Sequence, residues 1–263
     1  MSSETTYNIV KKGQEIPPFT ISRSNKWFIY FLTALLLGDY DPDEAMPPHM
    51  IINTLEEFYN LLLKILPPGF EKVECLIGFG SSYGIKNSKG ELVNSSNSFH
   101  AYWPNSNVTE ETVNNLVEYI KRACIYHQQY FLKIHKDGSA SMRYALDLSV
   151  MKSALSRLCF EAKPTCKDGL YQDRPQSLMW NMGSQKTLDL SKVYYDSLPD
   201  WRPVYEQLKI DNQDLIQQTK ESYKASKVNE LVFKGLTQEV ATNIVVKQIE
   251  ESVISVKTIV EVN

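Results

Sequence analysis

The longest apolar run of the chain, WFIYFLTALLL at residues 27–37, leads directly into the acidic sequence GDYDPD at residues 38–43. Its β-branched and aromatic residues, and its end at Gly38, predict a strand that is buried on both faces. The run has about half of the roughly 20 residues that a helix needs to cross a bilayer, so it is not a membrane anchor. Three aspartates therefore follow a buried segment, and like charges at such a place need an explanation.

Two segments have apolar residues at helical spacing. The first covers residues 49–66 and is ended by Pro67. The second covers residues 107–124, with Thr109 or Asn107 as its N-cap. Both patterns predict amphipathic helices with one apolar face.

Strand-like runs lie between and after these helices. VECLIGFG at 73–80 and SFHAYW at 98–103 both read as strands, and Pro104 ends the second one. A DG turn at 137–138 separates two further runs and predicts a hairpin.

From residue 201 onward the pattern is helical, with a restart after Gly235 that is capped by Thr237. We therefore predict an α/β (α+β) domain over residues 1–196 and a helical module over residues 197–263.

Composition excludes several classes of protein. A net charge of −3 and a pI near 5.9 exclude a uniformly basic nucleic-acid coat, so a polyanion would be met by a local basic surface or through metal ions. The four cysteines form no CxxC pair and no Cys/His quartet, and the amino terminus has no basic-then-apolar leader. We expect a cytoplasmic location, no zinc site and no membrane partner.

The aspartates themselves suggest a metal site. Residues two apart in a strand share a face, so Asp39 and Asp41 would project together. Adjacent carboxylates repel unless a cation lies between them, and Mg²⁺ and Mn²⁺ prefer oxygen ligands. The alternative is a solvated Asp-Pro turn, for which DPD is favourable chemistry.

Two further pairs of polar residues lie on predicted strands. Ser98 and His100 are two residues apart, which presents a hydroxyl and an imidazole to one face. Arg143 and Asp147 are four apart, which on a strand also means one face. Each pair has an ordinary alternative, a hydrogen-bonded structural histidine and a surface ion pair.

The loop GSSYGIKNSKG at 80–90 adds small residues and cations. Ser81 and Ser82 lie near Lys86 and Lys89, so this loop can approach phosphates closely, although a mobile hairpin loop is the common outcome for such a sequence.

Taken in order, these motifs resemble the archaeo-eukaryotic primase superfamily. The order is Asp-x-Asp after an apolar strand (Asp39, Asp41), Ser-x-His before an aromatic-ended strand (Ser98, His100), and then Asp147 at the end of a later strand. SSYGI at 81–85 and MRYALDLSVMKSALSRLCFEAKPTC at 142–166, followed by YQDRP, are similar to segments of the primase-polymerase domains of plasmids and phages. The resemblance covers residues 27–175.

The resemblance implies a primase-like catalytic core with an RRM-like sheet over residues 1–196. It implies that Asp39, Asp41 and Asp147 hold two Mg²⁺ or Mn²⁺ ions for template-directed nucleotidyl transfer. Ser98 and His100 would bind the triphosphate of the incoming nucleotide. From strand phase we add Arg143 as a clamp on the same phosphates, and Asp43 is expected to be a turn residue or to lie behind the metal ligands.

The expected partners are nucleoside triphosphates, a single-stranded DNA template and a replicative helicase. No GxxxxGK[ST] phosphate loop occurs here, so the helicase would be a separate polypeptide or a missing C-terminal part. The candidate DNA contacts are basic residues and stacking aromatics: Arg23, Lys26, Lys86, Lys89, Arg157, Lys163, Lys167, Arg174, Tyr83, Tyr102 and Trp103.

Two other functions fit parts of the pattern. A metal-dependent nuclease also uses acidic clusters with a nearby histidine, but it needs no triphosphate pocket. A non-catalytic single-strand-binding module would bind nucleic acid through sheet aromatics, and carboxylates facing the phosphate backbone speak against it.

Overall fold

A computed structural model describes residues 8–10, 20–22, 30–93, 97–154, 164–181 and 185–247. The chain divides into two compact units, which are described separately. The first unit comprises Met1–Phe131 and Tyr144–Trp201, and the second comprises Leu132–Arg143 and Arg202–Asn263. The chain is a mixed α/β protein with an antiparallel sheet and a helical C-terminal part.

The first unit is built on a sheet of five strands. In chain order these are β3 (Thr33–Tyr40), β4 (Cys75–Phe79), β6 (Phe99–Ser106), β10 (Leu178–Trp180) and β11 (Leu188–Asp189). The central strand β6 pairs antiparallel with β3 on one side, and with β4 antiparallel and β11 parallel on the other. Strand β10 extends the sheet beyond β4.

Short strands complete the described part of this unit. Strands β1 (Asn8–Val10) and β2 (Thr20–Ser22) pair in parallel. Strand β5 (Ile85–Lys86) pairs antiparallel with β9 (Tyr171–Gln172).

The apolar run at 27–37 was expected to be one strand buried on both faces. Residues 27–29 lie outside the described residues, and the prediction is wrong where the described part begins. Strand β3 begins at Thr33, and Phe31, Leu32 and Leu35 are well exposed, whereas residues 36–40 are buried. The strand also continues through Gly38. A Cβ there would lie 3.0 Å from the Trp103 ring, so glycine fits where the ring packs against the backbone.

The sequence predicted that strand β6 ends at Pro104, and this prediction is wrong. Pairing with β3 continues through Pro104 to Ser106. On the other side, β4 pairs as far as Tyr102 and β11 begins at Asn105, so the proline falls in the interruption between them. A residue without an N–H is tolerated at such a gap.

Two amphipathic helices cover one face of the sheet. Helix α1 (Leu55–Ile65) is capped by Thr54, and α2 (Glu110–Tyr126) begins at a Thr109 capping box, which confirms the prediction of that cap. In β6 every second side chain, beginning with Phe99, is buried against this layer. The ring of Phe58 in α1 stacks on Phe99 with centroids 5.6 Å apart.

The short helix α3 (Leu148–Lys152) packs against β3 and α2. It follows strand β8 (Ala140–Tyr144), which forms the expected hairpin with β7 (Tyr130–Ile134) around the Asp137–Gly138 turn. Most of this hairpin is grouped with the second unit.

The second unit is otherwise helical where it is described. Helix α4 (Trp201–Asp211) starts at its boundary, α5 (Gln213–Phe233) follows, and residues 238–247 are helical after the Thr237 cap. Val228, Ala241 and Val245 form a small core. Among the described helices, none combines the length and apolar character needed to span a membrane.

The two adjacent leucines of α1 test this packing. Leu62 is fully buried and Leu63 is 40% exposed. We expect Leu62→Ala to lower the free energy of unfolding by about 2–5 kcal/mol, because it leaves a cavity, and Leu63→Ala by about 0.5 kcal/mol. Urea denaturation followed by tryptophan fluorescence measures both. Equal losses from the two substitutions would contradict the orientation of α1.

Candidate functional site

The candidate site lies at the end of the sheet where β3 and β6 pair. Their register places Asp39 directly opposite His100. Directly opposed residues share a face of the sheet, and His100 Nε2 lies 3.3 Å from Asp39 Oδ1. This is the face turned away from Phe99 and Trp103, whose side chains are in the core.

The Asp39 carboxylate is buried without full compensation. The residue is 8% exposed, and its Oδ1 has no hydrogen-bond donor among the described residues. The contact with His100 is within ion-pair distance, but its geometry is not that of a hydrogen bond. An uncompensated carboxylate oxygen is costly in a folded protein, and a positive charge beside this atom would offset that cost.

Asp147 lies beside Asp39, but not in the way that its sequence predicted. Its backbone N–H donates to the Asp39 carbonyl at 2.8 Å. It was expected to end the strand that carries Arg143 and to share a face of that strand with Arg143. Strand β8 ends at Tyr144, and Asp147 is instead the N-cap of α3, where its Oδ1 accepts a hydrogen bond from the Ser149 N–H at 2.9 Å.

Asp41 and Asp43 follow the end of β3. Asp41 is exposed and lies outside the strand, so strand alternation does not align it with Asp39. Asp43 is a turn residue, since its Oδ1 accepts from the Ala45 N–H at 3.0 Å.

The chemistry of these donors suits a hard divalent cation. Asp39, Asp147 and the neighbouring Asp41 offer carboxylate oxygens, which Mg²⁺ and Mn²⁺ prefer. As the side chains stand, no three His, Cys, Asp or Glu residues in the described ranges are grouped to hold a metal ion.

The buried cysteines are protonated thiols. Burial raises the pKa of the Cys75 and Cys124 thiols to about 12, so both are neutral near pH 7.

Ser98 and His100 are joined to the loop after β4 through Gly80, a contact that the sequence did not predict. The Gly80 N–H donates to the Ser98 carbonyl at 2.8 Å. A Cβ on Gly80 would lie 2.1 Å from Ser98 Oγ and 3.6 Å from His100 Nε2. Only glycine therefore lets the loop begin this close to the Ser-x-His pair.

Ser81 and Ser82 follow in a turn that is closed by a hydrogen bond from the Tyr83 N–H to the Gly80 carbonyl. Gln172 in β9 holds this turn from outside, with its side-chain Nε2 donating to the carbonyls of Ser81 and Tyr83. No short-range pattern indicates this role of Gln172, because about ninety residues separate it from the loop.

The basic residues that were expected to contact nucleotide or DNA have different surroundings. Lys86 pairs with Asp173 at 2.6 Å, and this carboxylate raises the pKa of the lysine. Lys89 is exposed, Arg174 is half-buried, and Arg143 is exposed on β8 within the second unit. Arg157 lies outside the described residues, as do Arg23, Lys26 and Lys163. The roles of these residues in binding stay predictions.

Three aromatic residues were candidates for base stacking, and the prediction for Trp103 is wrong. It is fully buried and packs edge-on against Phe70. Tyr102 lies on the site face beside His100, with ring centroids 6.4 Å apart. Tyr83 stacks on Phe79 at 4.0 Å.

Comparison of the chain with protein-family models, with curated proteins and with solved structures returns no match.

The buried oxygen of Asp39 gives a stability test. In EDTA we expect Asp39→Asn to raise the free energy of unfolding by about 1 kcal/mol, because the amide removes a poorly compensated charge. Millimolar Mn²⁺ should raise the melting temperature of the parent protein and not that of the variant. Thermal denaturation with and without Mn²⁺ measures both effects.

Asp43→Asn is the matched control, since the Asp43 oxygen already has a backbone donor. In EDTA its free energy of unfolding should not exceed that of the parent, and millimolar Mn²⁺ should raise its melting temperature as in the parent. A loss of stability in Asp39→Asn with EDTA would mean that the pair with His100 already compensates the carboxylate.

Proposed function

We propose that this protein is a template-dependent nucleotidyltransferase, a DNA primase or primase-polymerase of a mobile genetic element that uses two Mg²⁺ or Mn²⁺ ions. The supporting observation is the juxtaposition of Asp39, His100 and Asp147. These residues come from separate parts of the chain: His100 faces the Asp39 carboxylate, and the Asp147 backbone N–H donates to the Asp39 carbonyl. Their order along the chain is the order of the motifs that resemble the archaeo-eukaryotic primases.

The residues at this end of the sheet suit the separate tasks of the reaction. Asp39 offers a buried anionic oxygen. The carboxylates of Asp147, whose backbone is bonded to that of Asp39, and of Asp41, two residues after Asp39, are the proposed further ligands. The bound ions would activate the 3′ hydroxyl and neutralise the leaving pyrophosphate.

His100 and Ser98 are the proposed donors to the nucleotide triphosphate. His100 is half-buried on the site face, where one ring nitrogen already faces a carboxylate. A histidine in such a position can donate to an anion that arrives beside the carboxylate. Ser98 is buried behind Gly80, which fixes its place relative to the loop of Ser81 and Ser82.

The open face of the sheet supports a nucleic-acid substrate. Tyr102 lies next to His100, and on the same face Leu76 and Met179 are 38% and 49% exposed. Apolar and aromatic side chains on an open sheet are suited to stacking of unpaired bases. The template would therefore lie along the sheet, with the growing 3′ end of the new strand at Asp39.

Synthesis without a primer tests the proposal. The purified protein is incubated with single-stranded template, Mn²⁺ or Mg²⁺ and labelled nucleotides, beside Asp39→Ala and Asp43→Asn. We expect metal-dependent oligonucleotides and template-dependent release of pyrophosphate from the parent and Asp43→Asn, and a loss of at least about 100-fold in Asp39→Ala.

Other outcomes identify other functions. Degradation of the template without use of nucleotides would identify a nuclease. DNA binding that is unchanged or stronger in the Asp39→Ala, Asp41→Ala double variant, with no synthesis from the parent, would identify a passive binding module. Either result would contradict the proposal.

A further inference from the structure

Gln172 makes an unusual pair of contacts with the loop that follows β4. Its side-chain Nε2 donates to the Ser81 carbonyl at 2.7 Å and to the Tyr83 carbonyl at 2.8 Å. Its own backbone position is fixed, because Gln172 pairs with Ile85 between β9 and β5. One amide group thus holds two peptide units of the turn in a set orientation.

The orientation of the carbonyls also determines that of the neighbouring N–H groups. In a trans peptide unit the carbonyl of one residue and the N–H of the next point in opposite directions. With the carbonyls of Ser81 and Tyr83 directed at Gln172, the N–H groups of Ser82 and Gly84 point away from it. Within the part of the chain that the structure describes, neither N–H has a hydrogen-bond acceptor.

A second contact from the same segment holds the end of the turn. Gly84 has a φ of +72°, and the Asp173 N–H donates to its carbonyl at 2.8 Å. A Cβ on Gly84 would lie 2.2 Å from the Asp173 carbonyl oxygen, so only glycine permits this approach. The turn between Gly80 and Gly84 is therefore held at one end by Ser98 and at the other by the strand that carries Gln172.

The Gln172 amide uses only its donor half. Its Oε1 is buried and has no hydrogen-bond donor among the described residues. A buried acceptor without a partner is a cost that a purely stabilising residue would avoid. The cost is offset if orienting the two carbonyls serves a function of the loop.

We infer that Gln172 is a positioning residue for nucleotide binding, which orients the turn so that the N–H of the exposed Ser82 donates to the triphosphate. A backbone N–H that is held in one direction, and has no acceptor within the protein, can donate to a bound anion. The turn begins at Gly80, against Ser98 and His100, so this anion site would adjoin the proposed triphosphate donors. This inference rests on the proposed nucleotidyl-transfer function.

Gln172→Met tests the inference, because methionine has a similar length and no donors. We expect the KM for nucleotide in template-dependent synthesis to rise about tenfold, with kcat within about twofold of the parent value. Affinity for single-stranded DNA without nucleotide, measured by fluorescence anisotropy, should not change. If Gln172→Met does not fold, Gln172→Glu replaces it, since it also lacks the two donors and keeps the size of the side chain.

Gln185→Met is the matched control. The Gln185 Nε2 also donates to a backbone carbonyl, that of Thr187, but it lies beside Val73, before β4 begins, whereas the loop follows the end of β4. This variant should have the nucleotide KM of the parent.

The outcomes separate this inference from the proposed function. A parent protein without nucleotide transfer overturns both. If the parent is active and Gln172→Met has the same KM for nucleotide as the parent, the inference is overturned and the proposed function is not. Parallel losses of nucleotide affinity, DNA affinity and melting temperature in Gln172→Met would also overturn it, because they would show a structural role only.

Discussion

The pairing of β3 with β6 determines the rest of the first unit. In an antiparallel pair the opposed residues share a face, so one register sets both the core and the site. With Asp39 opposite His100, Tyr40 falls opposite Phe99, and both of these rings enter the core beside Phe58. A shift of one residue would bury Asp39 among these rings and expose Tyr40.

The core supports this register with specific hydrogen bonds. The Tyr40 hydroxyl accepts from the Ile52 N–H at 2.9 Å and donates to the Met50 carbonyl at 3.0 Å. These bonds fix the end of β3 and the chain that leads to α1. The Asp39 carbonyl is in turn held by the Asp147 N–H. The backbone around Asp39 is thus tied on several sides, while its carboxylate oxygen is left without a donor. Rigid support around an uncompensated charge costs stability, which is the cost that the proposed metal ions would offset.

The sequence predicted the features that depend on local periodicity. Both amphipathic helices, the Thr109 cap and the Asp137–Gly138 hairpin turn follow from apolar spacing and short-range hydrogen bonds. Strand bounds were less accurate, because they depend on partners distant in sequence. Strand β3 continues through Gly38, because the Trp103 ring occupies the space that a side chain there would need. Strand β6 continues through Pro104, because this residue lies between the part of β6 that pairs with β4 and the part that pairs with β11.

The residues of the site were partly accessible to the same reasoning. Period-two alternation from His100 places Tyr102 on the site face and Trp103 in the core, so the two residues could not both be the stacking residues that the sequence analysis named. The contact of Asp147 with Asp39, and that of Gln172 with the Ser81 turn, join segments that lie about ninety residues or more apart. No short-range pattern encodes such contacts. Asp147 is the N-cap of α3, because its side chain accepts a hydrogen bond from the Ser149 N–H.

Diffraction from crystals soaked with Mn²⁺ and a non-hydrolysable nucleotide, measured at the manganese absorption edge, tests the central claim most directly. We predict anomalous peaks within coordination distance of the Asp39 and Asp147 carboxylates, with the triphosphate beside His100. Peaks located elsewhere, or none at saturating Mn²⁺, would contradict the claim that these carboxylates are brought together to bind metal ions.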